Sequence, residues 1–114
     1  MITRIWRGWT SQENADHYER LLLSEIFPSI ARRGIAGYLG ISLLKRAHGA
    51  ETEFVTIMWF SDLDAVRRFS GPDYEKAVVP EKARLLLRRF DERSDHYETI
   101  RPPFSEIHAP VGST

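Results

Sequence analysis

Four histidines are the first place to look for chemistry, and their spacing offers little. His17, His48, His96 and His108 include no i, i+4 pair that would set two imidazoles on one helix face, so no metal site is expected. The chain has no cysteine, hence no thiolate nucleophile, disulfide or thiolate-bound metal. It also lacks a Gly-x-Ser-x-Gly elbow, a phosphate-binding loop and a dinucleotide fingerprint, which leaves hydrolase, kinase and nicotinamide chemistry without a motif. What remains is an aromatic load. Trp6, Trp9, Tyr38, Phe54, Trp59, Phe60 and Tyr97 fall near strand centres, and Tyr18, Phe27, Phe69 and Phe90 reach from helical segments. Two readings stay open: large aromatics filling a core, or an apolar cavity with a few convergent polar groups, such as Arg4, His17 and His96, suited to a flat organic guest. The cavity reading takes Trp6, Trp59, His17, Phe69 and Tyr97 as its lining. His96 reads equally as a core imidazole bonded to a backbone carbonyl, and Glu98 reads as an ion-pair partner before a general base.

The elements that must position these groups follow from periodicity. Residues 2–10 alternate as a first strand, with Ile5 and Trp9 on one side and Arg4 and Trp6 on the other. Thr10 followed by Glu13 has capping-box spacing, and a helix follows with Tyr18, Leu22, Ile26 and Ile30 at intervals of four. Pro28 should kink or end it, leaving a looser turn to Arg33, with Gly34 as a left-handed cap. Tyr38 to Arg46 reads as a second strand, His48-Gly49-Ala50 as a turn, and Glu53 to Phe60 as a third strand. In strand two, Leu39, Ile41 and Leu43 take one side and Tyr38 and Leu44 the other. Ser61 with Asp64 repeats the cap spacing before a short helix that Gly71-Pro72 stops, and a further helical turn is expected from Asp73 to Val79. Pro80 should start a last helix through Phe90 with Ala83, Leu86, Leu87 and Phe90 inward, and Asp95 to Ile100 is the fourth strand.

The order β-α-β-β-α-β predicts an α+β, ferredoxin-like fold: a four-stranded antiparallel sheet carrying its helices on one face. A domain over residues 1–101 and a C-terminal tail over 102–114 follow. The third strand has no polar face, because Phe54, Met58 and Phe60 point one way while Val55, Ile57 and Trp59 point the other. Helices cover one side only. Burying about 500 Å² more of such surface is worth about 12 kcal/mol before the cost of association. A homodimer packed through its sheet faces, forming a dimeric α/β barrel, is the expected solution. Sixteen basic residues balance sixteen acidic ones, so no long-range field draws nucleic acid, and none is expected as a partner. No run approaches the ~20 apolar residues of a membrane span, and arginines interrupt the apolar residues of the amino terminus, so the expected address is cytoplasmic, away from membranes.

Several stretches then resemble a known family. Ile-Trp-Arg-Gly-Trp-Thr at the start, the block from Phe54 to Gly71, the Glu-Lys-Ala-Val-Val-Pro that follows, and Asp-His-Tyr-Glu near the end resemble the antibiotic biosynthesis monooxygenase-like proteins of the dimeric α/β-barrel superfamily. The resemblance spans roughly residues 2–100. It implies a pocket between each sheet and its own helices. It also implies an activity seen in some members, oxygenation of aromatic or quinol-type compounds by dioxygen with no cofactor, the substrate anion itself reacting with oxygen. On that implication Trp59 and Trp6 hold the substrate, while His96, Arg4 or Tyr74 assists deprotonation or stabilises the oxyanion. The haem-degrading branch uses an asparagine on strand one and a tryptophan and histidine near the second helix. Here no Asn lies between Ile2 and Thr10, and Arg68 and Val78 stand at the other two positions, so haem is not expected. The alternative from another class is a dimeric binding or stress-related protein that holds an apolar or aromatic small molecule without transforming it.

Overall fold

The strand Ile2–Ser11 (β1) runs through the middle of the sheet and sets the register of everything beside it. A computed structural model describes residues 1–103. On one side β1 pairs antiparallel with Glu51–Phe60 (β3), Arg4 opposite Met58 and Gly8 opposite Phe54, and β3 pairs in turn with Tyr38–His48 (β2) through a tight turn at Gly49, whose φ is +64°. On the other side β1 pairs with two short strands, Leu87–Phe90 (β4) along one half and Asp95–Glu98 (β5) along the other. The sheet therefore has five strands in the order β2-β3-β1-β4, with β5 continuing the β4 edge. This is the ferredoxin-like α+β arrangement, with one edge strand delivered in two pieces.

Those pieces correct the expected last helix. Only Glu81–Arg84 (α4) is helical, and Leu87–Phe90 is strand. Ala83, Leu86, Leu87 and Phe90 fit a helical stripe, but the free edge of β1 offers unpaired backbone groups from Gly8 to Thr10, and pairing them outweighs local helical preference. The helical turn expected over Asp73 to Val79 is also absent. Instead the segment folds back through a bridge between Lys76 and Arg93, and Arg93 holds both Asp73 and Glu75. The last strand ends at Glu98 instead of Ile100. The tail expected over residues 102–114 lies outside the described residues but for its first two.

Gln12–Leu21 (α1) and Phe27–Arg32 (α2) form one rod joined by a π-helical turn, Leu22–Ile26, in which the Phe27 amide bonds back to the Leu22 carbonyl. Pro28 does not end the helix. Its ring forbids the ordinary bond to residue 24, and the wider turn just before it absorbs the misfit. Both N-caps sit one residue later than expected: Ser11 accepts from the Asn14 amide at 3.1 Å, and Asp62 accepts from the Ala65 amide at 2.8 Å to start Leu63–Ser70 (α3). Thr10 is instead the fully buried partner of Thr52 in the ladder. A bulge between Tyr38 and Gly40 pushes Leu39 outward, so Tyr38 joins Ile41 and Leu43 on the helix side and meets Phe60 at 5.9 Å.

The helix-covered face carries two core clusters. One gathers Tyr18, Leu21 and Leu22 of the rod with Phe54 and Ala83, and the other gathers Met58 and Phe60 with Ala65, Val66 and Phe69 of α3. The opposite face presents Ile5 and Trp9 of β1, Val55, Ile57 and Trp59 of β3, and Leu44 of β2, so β3 is apolar on both sides as its sequence requires. No helix among the described residues is long and apolar enough to cross a membrane.

Gly37 precedes β2 at φ +88°, and its carbonyl accepts from the Ser61 amide at 2.8 Å. A Cβ there would stand 2.6 Å from the Ala65 Cβ and collide with Ser61 Oγ, whereas one on Gly34, at φ +62°, meets nothing within 4 Å. Gly37→Ala is therefore expected to lose about 2–4 kcal/mol in urea unfolding, and Gly34→Ala about 1–2 kcal/mol, from backbone strain alone.

Candidate functional site

Arg4 occupies an inward position of β1, where its neighbours Ile2 and Trp6 share the helix-covered face. It is 3% exposed, and no carboxylate lies within ion-pair distance of it among the described residues. Its guanidinium is solvated by the protein instead. Nη1 donates to the Tyr74 carbonyl at 2.5 Å and to His96 Nε2 at 3.0 Å, and Nη2 donates to the Lys76 carbonyl at 3.0 Å. The Phe69 ring lies 5.3 Å from the guanidinium carbon, and Arg33 approaches the same ring at 5.3 Å. Burial lowers the Arg4 pKa to about 10, which still leaves it charged at neutral pH.

His96 is held opposite Arg4 by the β1–β5 register. Arginine has donors only, so His96 Nε2 must accept, and the ring proton belongs on Nδ1. That Nδ1 is buried without a partner in hydrogen-bond geometry. Burial, and then the Arg4 charge, hold His96 below the usual imidazole range, so the ring is neutral at pH 7. Tyr74 meets it edge-on at 5.0 Å between ring centroids.

Arg4 also faces a cavity of about 60 Å³ at the seam between the two core clusters, walled by Tyr18 and Leu22 on one side and Met58 and Phe69 on the other. The π-helical turn shapes it, since Leu22, Ile26 and Phe27 all reach it. Val78, Val79 and Pro80 close the far wall. Outward it meets a surface groove of about 520 Å³, and Ile26, Ile30, Phe69, Val78 and Pro80 border both. The cavity accepts a narrow apolar body, with the remainder of a larger guest lying in the groove. Its polar end carries a cation and no anion.

The structure brings together some of the residues singled out by sequence and separates others. Arg4, His96 and Tyr74 form one cluster, although Arg4 alone of the three lines the cavity. Trp6 and Phe69 line it too, and the Trp6 indole donates to the Asp91 carbonyl at 2.6 Å, which fixes its ring. Trp59 and Tyr97 do not join them. Strand periodicity sends both to the helix-free face, Trp59 beside Met58 and Phe60 that point inward, and Tyr97 opposite Thr3. His17 is exposed, because Tyr18 and Leu21 take the inward stripe of α1. Sequence reasoning passed over Ser94, a 4%-exposed cavity residue whose hydroxyl has no hydrogen-bond partner. The sole available signal was its position two residues before His96.

No family model matches this chain, and no curated protein matches it in sequence. Solved structures do match. Rv0793 from Mycobacterium tuberculosis aligns with a TM-score of 0.58 and 18% identity, over 90% of this chain and 97% of that one. SnoaB, a cofactor-independent oxygenase from Streptomyces nogalater, aligns with a TM-score of 0.55 and 19% identity over 90% and 95%. A monooxygenase from the gene ActVA-Orf6 of Streptomyces coelicolor, in complex with nanaomycin D, aligns with a TM-score of 0.52 and 17% identity over 89% and 91%. At these identities the likeness is one of fold, and it is the fold that the resemblance to antibiotic biosynthesis monooxygenase-like proteins implies.

The state of His96 makes stability depend on pH in one direction. Its folded pKa lies below the unfolded value, so the unfolded chain takes up the proton first as pH falls, and stability is lost from about pH 6.5 downward until the folded pKa is passed. His96→Gln, neutral throughout and able to accept from Arg4, is expected to flatten that part of the curve. Urea midpoints of both proteins between about pH 7 and pH 5 check this. Equal slopes would refute it.

Proposed function

We propose that this chain is a cofactor-independent monooxygenase of aromatic phenols or quinols, working in the cytoplasm as a homodimer, and that the substrate anion reacts in the cavity beside Arg4. The observation that carries the reading is a buried guanidinium with no carboxylate partner among the described residues, lining a mostly apolar cavity. A desolvated cation there stabilises negative charge far better than water-exposed arginine does. It lowers the pKa of a bound phenol, by about 1–3 units for an opposite charge within a few ångströms. Support for the reaction type comes from SnoaB, described as a cofactor-independent oxygenase, and support for a flat organic guest from the ActVA-Orf6 complex.

The chemistry balances without an external reductant. The ionised ring passes electron density to dioxygen, a bond forms between a ring carbon and oxygen, and the resulting peroxide loses water. The ring CH ortho or para to the oxyanion thereby becomes a quinone carbonyl, one oxygen atom staying in the product and the other leaving as water with that hydrogen and the proton equivalent to the phenol's own. Arg4 holds the oxyanion, Trp6 and Phe69 flank the ring, and His96 and Tyr74 keep Arg4 in place. Among the described residues neither a carboxylate nor an unengaged imidazole lines the cavity, so the site captures substrate that has already ionised, and its proton leaves to water through the groove. That lack of a base also favours the second reading, retention of an aromatic metabolite without turnover.

The dimer reading rests on the helix-free face, where Ile5, Val55, Ile57 and Trp59 form a continuous apolar surface. Closing two such faces buries the exposed side of β3.

Oxygen uptake measured across a panel of phenols and hydroquinones should exceed the enzyme-free rate for at least one bicyclic or larger member. The rate should rise with pH through the substrate's own pKa. Arg4→Met should lower kcat by about 10²-fold or more with near-ultraviolet circular dichroism retained. Uptake equal to the control throughout, with a co-purified aromatic guest seen unchanged by native mass spectrometry, would establish the binding-only reading instead. In sedimentation at micromolar concentration the chain should be dimeric and Ile57→Lys monomeric; a monomeric parent chain removes the dimer from the proposal.

A further inference from the structure

Ser94 is a buried hydroxyl that the fold does not use. It is 4% exposed, its Oγ has no hydrogen-bond partner, and the cavity is the open space it borders. Its backbone amide donates to the Glu75 carbonyl at 2.6 Å, which holds the residue in place while its side chain is left over. Buried hydroxyls in native proteins are nearly always paired, and an unpaired one costs about 1–3 kcal/mol. A hydroxyl left over beside a cavity that opens into a larger groove is free to donate to a group that enters from it.

That hydroxyl and Arg4 border the same cavity. Arg4 pairs with His96 across β1 and β5, and Ser94 lies two residues before His96, just ahead of β5. Arg4 in turn has donors to spare. Its bonds to Tyr74, His96 and Lys76 engage Nη1 and one hydrogen of Nη2, leaving the other Nη2 hydrogen and Nε–H. Arg4 and Ser94 are among the few polar residues of a lining that is otherwise mostly apolar and aromatic.

We infer that Ser94 and Arg4 form a two-donor receptor for an anionic oxygen carried on an aromatic ring. Ser94 donates its hydroxyl hydrogen to that oxygen while Arg4 supplies the charge. This rests on the proposed oxygenase reading only for the choice of a phenolate over an aryl carboxylate, since either group presents such an oxygen. Ser94 is then a residue that touches substrate, one which no motif marks.

The test uses 4-nitrophenol, whose ionised and neutral forms absorb at different wavelengths, so the protonation state of the bound fraction is read directly. With the intact protein, the bound phenol should ionise about 1–3 pH units lower than the free one. Ser94→Ala should weaken 4-nitrophenolate binding about 10-fold or more, the range for a hydrogen bond to a charged group. It should leave the urea midpoint unchanged or slightly higher, because no protein hydrogen bond is removed. A purely structural serine would show the opposite pattern, with a lower midpoint and unchanged binding, and that result overturns the proposal. So would a Ser94→Ala variant that binds 4-nitrophenolate as the parent does. Tighter binding of 4-nitrobenzoate than of 4-nitrophenolate, equally sensitive to Ser94→Ala, supports the receptor and removes the phenol oxygenase reading, so the two ideas fail separately.

Discussion

A charged guanidinium buried from solvent, with no carboxylate partner among the described residues, is the constraint around which this molecule is arranged. Arg4 sits in the central strand, where an apolar residue would serve the core, and its charge must be met by dipoles drawn from elsewhere. Two of those dipoles are carbonyls of the segment between α3 and α4, at Tyr74 and Lys76. Reaching for them draws that segment against the sheet, and the same segment supplies Val78, Val79 and Pro80 to the cavity wall. Arg93 fastens it from outside through Asp73 and Glu75. The cavity is thus partly a by-product of solvating Arg4 with protein, and the cation and the space beside it arise from one requirement.

The sheet divides its labour by face. β3 is apolar on both sides, so alternate residues serve unrelated ends: Met58 belongs to the cavity wall and Trp59 to the opposite surface. Aromatic richness near strand centres is therefore two populations, interleaved in sequence and separated by the thickness of the sheet. Trp6 and Phe69 belong to one, Trp59 and Tyr97 to the other. Reading them as a single lining overlooked the period of two that the same strand displays so plainly.

Much of the fold was legible because its strongest signals are periodic and local. The alternation in β1 and β3, the four-residue stripe of Tyr18, Leu22 and Ile26, and the turn glycines all led to the right elements in the right order. What was not legible depended on partners distant in the chain. Leu87 to Phe90 became strand because β1 had an edge to fill, which no local window reveals. Leu39 left its expected row because of a bulge. In the site, Arg4 and His96 stood out by residue type, whereas Ser94 is an ordinary serine in a polar stretch, and its isolation is visible only once β5 is laid beside β1.

The wide turn at Leu22–Ile26 has a consequence for how such a pocket changes over evolutionary time. An ordinary helix advances about 100° per residue, so one extra residue accommodated in a single loosened coil rotates everything after it by roughly that angle relative to an uninterrupted rod. Ile26, Phe27 and Ile30 look into the pocket because of that rotation. Conversion of this coil to an ordinary turn at constant length, as when residue 28 is no longer proline and can bond back to Ser24, would swing a different set of side chains over the opening, while the half of the rod before it kept its seat on the sheet. The pocket's outer lining can therefore be exchanged wholesale by substitution at the proline that follows the coil, a route to new guests that leaves the cationic floor untouched.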